Sequence, residues 1–148
     1  MKVYHTTKEL QDELRTGSPT ETIGFVPTMG ALHQGHVSLV EKALAQNTRV
    51  VVSIFVNPTQ FNNANDLDKY PRTLERDIEL LQNVDRDILV FAPTPSEIYG
   101  NSIESKKYDF GGLENEMEGK HRKGHFNGVG TVLNLLFRII EPDSCYLG

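Results

Sequence analysis

Four of the five histidines of the chain fall into two pairs, 33/36 and 121/125, and the first pair follows a glycine-containing turn. His33 and His36 lie at the end of the segment Pro27-Thr-Met-Gly-Ala-Leu-His-Gln-Gly-His36. An imidazole N–H can donate to a phosphate oxygen without the compact, strongly hydrated charge of lysine. Since Gly30 and Gly35 permit close approach of the backbone to a ligand, the segment predicts a phosphate-binding loop.

Zinc binding through the two histidines is the alternative chemistry for this segment. A zinc site needs three or four protein ligands, and the segment contains no Cys, Asp or Glu that could supply a third. It also lacks the Gly-Lys-Ser/Thr of a P-loop and the Gly-x-Gly-x-x-Gly dinucleotide fingerprint. The residue types therefore favour anion binding by a strand–loop–helix unit, in which backbone N–H groups and a helix N-terminus face the anion.

The elements that must position this loop alternate between helix and strand. Apolar runs predict strands at 22–26, 49–56, 87–91 and 143–147, and helical spacing predicts helices from Thr6 or Thr7, over 36–46, from a cap at Thr73 to about 83, and over 126–140. Residues 100–125 are expected to form a short strand, turn and loop. The alternation predicts an α/β, Rossmann-like parallel sheet with helices on both faces. Ligands of such sheets bind beyond the carboxyl ends of the strands, here after Val26, Val56, Phe91 and Leu147.

Composition excludes several classes of protein. The 148 residues carry a net charge of −5, which argues against a general binder of nucleic acid or anionic membrane. One cysteine, Cys145, excludes a disulfide framework. The polar amino terminus does not resemble a signal peptide, and the longest apolar run is far shorter than the roughly 20 residues that span a bilayer. We therefore expect a cytoplasmic protein with no nucleic-acid or membrane partner.

Five segments, in order, carry a family resemblance. They are Phe25-Val-Pro-Thr-Met-Gly-Ala-Leu-His-Gln-Gly-His36, Ser53-Ile-Phe-Val-Asn-Pro-Thr-Gln-Phe61, Asp68-Lys-Tyr-Pro-Arg72, Glu118-Gly-Lys-His-Arg-Lys-Gly-His-Phe-Asn-Gly-Val129 and Pro142-Asp-Ser-Cys-Tyr-Leu-Gly148. The first resembles the His-x-Gly-His signature of the nucleotidyltransferase superfamily that includes class I aminoacyl-tRNA synthetases. Together they resemble the pantoate–β-alanine ligase family from about residue 22 onward.

The resemblance implies a reaction and its ligands. ATP and pantoate give a pantoyl adenylate and pyrophosphate, and β-alanine then displaces AMP to form pantothenate. It implies ATP with Mg²⁺, the HIGH-type nucleotidyltransferase fold and a homodimer. By the same resemblance His36 is the candidate catalytic residue, and the ATP-binding positions are Met29, Gly30, Ala31, Leu32, His33, Gln34, Gly35, His36 and Gly148.

The resemblance also assigns positions for the two smaller substrates. Those for pantoate and β-alanine are Pro27, Asn57, Gln60, Tyr70 and Arg122. An amide side chain can both donate and accept, which suits a hydroxy acid; the alternative is that Asn57-Pro58 is only a turn after a strand. Asp77 is the candidate for holding Mg²⁺ through the phosphates, or else an acid favoured by the start of a helix. The roles of His121 and His125 stay open.

The resemblance further implies that a carboxy-terminal lid domain follows this part of the family's sequence and is absent from the chain. We therefore expect residues 1–148 to form the amino-terminal domain that binds nucleotide and pantoate, with weak activity or none alone. Two alternatives stay open: another nucleotidyltransferase of the same superfamily, and a non-catalytic dimerisation fragment.

Overall fold

The structure of the protein is a computed structural model that describes residues 1–58, 73–100 and 125–148, without the side chains of residues 125–128. Strands and helices alternate along these ranges as expected from the sequence. In chain order they are β1 (Lys2–Tyr4), α1 (Thr7–Leu14), β2 (Ile23–Thr28), α2 (Gln34–Gln46), β3 (Arg49–Ile54), α3 (Leu74–Val84), β4 (Leu89–Phe91), α4 (Pro95–Tyr99), α5 (His125–Ile140) and β5 (Ser144–Cys145). Residues 101–124, predicted as a strand, turn and loop, lie outside the described part of the chain.

Within the described residues, five parallel strands form one sheet in the order β1-β4-β3-β2-β5. The longest pairing joins β2 to β3, from Ile23 opposite Arg49 to Thr28 opposite Ile54. Successive strands β2, β3 and β4 are added in one direction, whereas β5 pairs with the other side of β2. The α/β fold with a parallel sheet is thus confirmed. The order of strands reverses at β2, which is where open α/β sheets bind their ligands.

Helices cover both faces of the sheet because the inner strands are apolar on both sides. Alternate strand residues point to opposite faces. Phe25, Val51 and Phe91 pack in one cluster with residues of α1, α4 and α5. Val26, Val52 and Val90 pack in the other with residues of α2 and α3. Burial of each such side chain contributes about 1.5–3 kcal/mol before the entropy of folding is counted, so both layers hold β2 and β3 rigidly below the loops that follow them.

Several boundaries differ from those predicted. The sequence did not predict β1 or α4, and both are short. β1 has three residues and lies between the amino terminus and Thr6, the N-cap of α1. β2 continues through Pro27 to Thr28 rather than ending at Val26. The carbonyls of Ile23 and Phe25 accept from the β5 segment, so alternate residues of β2 face that side. Pro27 faces the same side of β2 as Ile23 and Phe25. It has no N–H to donate, but it lies beyond Phe25 opposite Cys145, the last residue pair between β2 and β5.

Candidate active site

The segment after β2 is a turn that leads directly into α2. His33 is the N-cap of α2, and its Nδ1 accepts from the backbone N–H of Gly35 at 3.0 Å. The Nδ1 of His36 accepts in return from the backbone N–H of His33 at 3.1 Å, which completes a reciprocal capping box. The helix therefore begins at Gln34, two residues before the predicted start. A Cβ on Gly35 would lie 2.8 Å from Cε1 of His33, so glycine lets the His33 ring fold against the helix start.

These hydrogen bonds determine which ring nitrogen carries the proton in each neutral imidazole. A backbone N–H is a donor only, so the Nδ1 that accepts from it carries no proton, and the neutral ring keeps its proton on Nε2. The two rings lie 4.1 Å apart between centroids. Burial lowers the pKa of His36 below its ordinary value and the neighbouring His33 lowers it further, while Asp77 acts in the opposite direction. With this tautomer both rings present an Nε2–H donor, and the lowered pKa of His36 favours its neutral form.

The turn before the cap has a left-handed backbone. Gly30 has φ of 84° and Ala31 has φ of 51°. Both oxygens of the Asp77 carboxylate accept from this turn: Oδ2 from the N–H of Ala31 at 3.0 Å and Oδ1 from the N–H of Leu32 at 2.9 Å. Thr28 Oγ1 accepts from the N–H of Gly30 at 3.2 Å. Three consecutive backbone donors are thus bound by side chains of the protein, and the turn has a defined shape before any ligand arrives.

Asp77 is almost completely buried, with 1% of its surface exposed. The hydroxyl of Thr73, the N-cap residue of α3, donates to it at 3.3 Å. Among the described residues there is no group of three or more His, Cys, Asp or Glu side chains that could hold a metal ion. Both oxygens of the Asp77 carboxylate already accept hydrogen bonds from backbone N–H groups of the turn. Its suggested role toward Mg²⁺ stays a prediction.

A cavity of about 390 Å³ opens beside the turn, beyond the carboxyl ends of β2, β3 and β4. Met29 and Gly30 line one side of it, and Thr73, Leu74 and Asp77 of the α3 region line another. The remaining lining residues are largely apolar: Ile54, Phe55, Val56, Ala92, Pro93, Thr94 and Pro95. A cavity of this size lies in the range of small-molecule sites, about 300–1,000 Å³.

Asn57 follows β3 close to this cavity and is fully buried. Its Oδ1 accepts a hydrogen bond from the hydroxyl of Tyr99, at the end of α4. The side chain therefore has a fixed orientation, which a residue in a simple surface turn would not need. Phe55, which follows β3, packs against the Tyr99 ring at 6.4 Å between centroids. The amide is held in place by the fold before a substrate binds.

The structure brings most of the predicted ligand-binding residues to one edge of the sheet. Pro27 lies near the carboxyl end of β2, and the segment from Met29 to His36 follows that strand. Asn57 follows β3, and Gly148 follows β5, where a Cβ would lie 3.0 Å from Leu39 of α2. Gln60, Tyr70, Arg122 and His121 lie outside the described residues, and His125 begins α5 with its side chain undescribed.

The contacts of three side chains that shape this edge were not found from the sequence, although Thr73 was predicted as the cap of α3. Thr28 binds the turn and donates to the Ser53 carbonyl at 2.8 Å, Thr73 binds Asp77, and Tyr99 binds Asn57. The Thr28 contact could have been sought, because threonine often binds a backbone N–H two residues on. The bond between Tyr99 and Asn57, 42 residues apart, has no local signal in the sequence.

Comparison with known proteins agrees with this geometry. A family model described as Pantoate-beta-alanine ligase matches residues 2–148. The chain belongs to the pantoate–β-alanine ligase family. The pantothenate synthetase of Flavobacterium psychrophilum is 58% identical over 128 residues, covering 86% of this chain and 45% of that protein. That of Azobacteroides pseudotrichonymphae is 50% identical across the whole chain and 53% of its own length. The chain therefore spans about half the length of the curated relatives it matches.

Solved structures of the pantoate–β-alanine ligase family share the fold. The enzyme of Francisella tularensis, complexed with beta-gamma ATP and beta-alanine, superposes with a TM-score of 0.91 at 43% identity. That similarity covers 98% of this chain and 55% of the other. The pantothenate synthetase of Thermus thermophilus gives a TM-score of 0.85 at 45% identity, over 98% of this chain and 51% of that one. The family's HIGH-type nucleotidyltransferase fold is confirmed.

Proposed function

We propose that residues 1–148 form the amino-terminal, nucleotide- and pantoate-binding domain of an ATP-dependent pantoate–β-alanine ligase. The reaction forms a pantoyl adenylate and pyrophosphate, and β-alanine then releases AMP and yields pantothenate. The observation that carries the proposal is the position of the segment from Met29 to His36, the histidine turn. It adjoins a preformed cavity at the carboxyl ends of the strands, where the strand order reverses. Family membership supports the same reaction.

The histidine turn suits the triphosphate. The start of α2 presents helix N–H groups and a positive dipole end, and His33 and His36 add two Nε2–H donors. Pyrophosphate departs with negative charge that these donors stabilise as it develops. His36 has the main role in this proposal, because its Nδ1 accepts from the His33 N–H and leaves Nε2–H as the donor, and its lowered pKa favours the neutral ring. Gln34 and Gly35, exposed in the first turn of α2, complete the proposed contacts with ATP.

The cavity suits the acid. Pantoate carries two methyl groups together with two hydroxyls and a carboxylate, and the apolar lining by Ile54, Phe55 and Pro93 suits the methyl groups. Asn57 can serve a hydroxyl or the carboxylate. The carboxylate of pantoate is ionised at neutral pH and is already a nucleophile, so the protein needs only to align it with the α-phosphate. Met29 and Gly30 line this cavity and also belong to the proposed ATP-binding turn, which supports binding of the two reactants side by side.

Magnesium, which neutralises phosphate charge in reactions of this class, would arrive with the triphosphate. The described side chains supply hydrogen-bond donors for phosphate rather than a set of carboxylates for the ion. No step attributed to this chain depends on a metal ligand.

No helix in the described ranges has the length and hydrophobicity to cross a membrane. A homodimer acting in the cytoplasm completes the proposal, and sedimentation of the purified chain would test its state of association.

The proposal is tested by pyrophosphate exchange into ATP, measured with the 148-residue chain and with the chain extended past Gly148 to the length of its relatives. The extended protein should exchange label only when pantoate is present, and should release AMP when β-alanine is added. Exchange that requires a different acid, or AMP release that ignores β-alanine, would support another nucleotidyltransferase. The 148-residue chain should bind ATP weakly and show little or no turnover. A dimer that binds no nucleotide would favour a role in association alone.

A further inference from the structure

A single buried carboxylate joins α3 to the histidine turn. Asp77 lies 45 or 46 residues from its backbone partners Leu32 and Ala31, and it accepts from both at 2.9–3.0 Å. Its exposure of 1% removes it from bulk water. A hydrogen bond to a charged acceptor in such a place is stronger than one between neutral groups. The bonds therefore hold the turn against the body of the domain.

The backbone of this turn needs such support. Ala31 has φ of 51°, in the left-handed region that residues with a side chain seldom adopt. A Cβ on Gly30 would lie 3.1 Å from Oδ2 of Asp77 and 3.2 Å from Ile54, so the carboxylate packs directly against the turn. An unusual backbone conformation persists only where its surroundings impose it. The two N–H bonds to Asp77 supply that constraint.

Only one peptide bond separates Leu32, which Asp77 binds, from His33, the N-cap of α2. The N–H of Leu32 is bound by Asp77, and the next residue, His33, is the cap whose N–H binds His36. A shift of the backbone at Leu32 would therefore move both capping bonds and both Nε2 atoms. We propose that Asp77 is a positioning residue that sets the histidine turn for phosphate binding, acting through Ala31 and Leu32 rather than as a ligand of Mg²⁺. Its importance for turnover rests on the function proposed above; its hold on the turn does not.

The decisive variant is Asp77→Asn, which keeps one acceptor oxygen but places an NH₂ donor against the second backbone N–H. The matched control is Glu75→Gln, because Glu75 is an exposed acid in the same first turn of α3. In the ligand-free 148-residue chain, amide exchange by NMR should be at least about tenfold faster at Ala31 and Leu32 in the Asp77 variant. Exchange at Val52, buried in β3, should change much less, which separates local opening from global unfolding.

Turnover of the extended protein supplies the second measurement. Asp77→Asn should lower kcat at saturating substrates by at least about tenfold, while the Mg²⁺ concentration for half-maximal activity stays within about twofold of the wild type. Unchanged exchange at both Ala31 and Leu32, or restoration of kcat by excess Mg²⁺, would overturn the proposal. Lack of any ligase activity in the wild type would refute the proposed function alone, since the exchange rates would still be measured.

A milder pair of variants serves if Asp77→Asn does not fold. Thr73→Val removes the hydroxyl that donates to the carboxylate, and Thr73→Ser retains it. Exchange at Ala31 and Leu32 should be at least about twofold faster with valine and return to the wild-type rate with serine. Equal rates in the two variants would contradict the hold of Asp77 on the turn.

Discussion

Two substitutions of His36 separate its part in the helix cap from the catalytic role proposed for it. His36→Ala removes both the Nδ1 that accepts from the His33 N–H and the Nε2–H offered to phosphate. His36→Gln keeps an acceptor at the same capping position, where glutamine forms a capping box well. The cap is exposed to solvent, so its loss in the alanine variant should cost about 0.5–1 kcal/mol of unfolding free energy. The glutamine variant should recover most of that.

Catalysis should respond differently from stability. Removal of one donor that stabilises charge in the transition state typically costs about 10²–10³-fold in kcat. Both His36 variants should therefore lose at least about 10²-fold in pantoate-dependent pyrophosphate exchange in the extended protein, equal to roughly 2.7 kcal/mol. Urea unfolding of each variant, measured in the same buffer, gives the change in stability.

Wild-type exchange in His36→Gln would refute the reasoning. In that case the histidine would act only by capping α2, and glutamine would replace it fully. Equal stability of the wild type and His36→Ala would show instead that the capping bond contributes nothing. Neither result would affect the fold, because His36 is not part of either hydrophobic cluster.

The other predictions concern stability. Gly30→Ala should lower the unfolding free energy by about 1–3 kcal/mol, since it adds a side chain at φ of 84° against Asp77; an unchanged urea midpoint would contradict this. Tyr99→Phe should lower the unfolding free energy by about 1–3 kcal/mol, because it removes the hydroxyl that donates to buried Asn57. Thermal unfolding measures this change, and an unchanged Tm would contradict it. Because burial lowers the pKa of His36 from 6.5, the unfolded state binds its proton more tightly, so stability should fall as pH drops below 6.5. Urea unfolding at several pH values should show a flatter profile for His36→Gln, and parallel profiles would contradict it.

The repeating parts of the fold could be predicted from the sequence because their signals are local. The apolar run of β3 and the apolar spacing of α5 identify both elements, and Val132, Leu136 and Ile140, spaced four residues apart, are buried. The three-residue strand β1 carries too little pattern to be recognised, and it is held by pairing with β4, 87 residues away. The start of α2 was misplaced because histidine is not among the usual N-cap residues, although His33 acts as one here.

The site was predictable as a set of residues but not as a set of contacts. The spacing of His33 and His36 and the glycines around them identify the loop, and the parallel sheet places it at the ligand-binding edge. The bond of Asp77 to Ala31 and Leu32 joins positions 45 or 46 residues apart, and a buried acid early in a helix looks in the sequence like any acid at that position. Only the packing of α3 against the sheet brings it to the turn.

The reversal of strand order at β2 also has a consequence for redesign. The strand β2 has β5 on one side and β3 on the other. Met29 and Gly30, which follow β2, line a cavity whose other walls come from the segments after β3 and β4 and from the α3 region. On the function proposed above, substitutions at Val56 or Pro93 reshape the cavity for a different organic acid without changing any residue from Met29 to His36. The wall of the cavity and the histidines are thus separate targets for substitution.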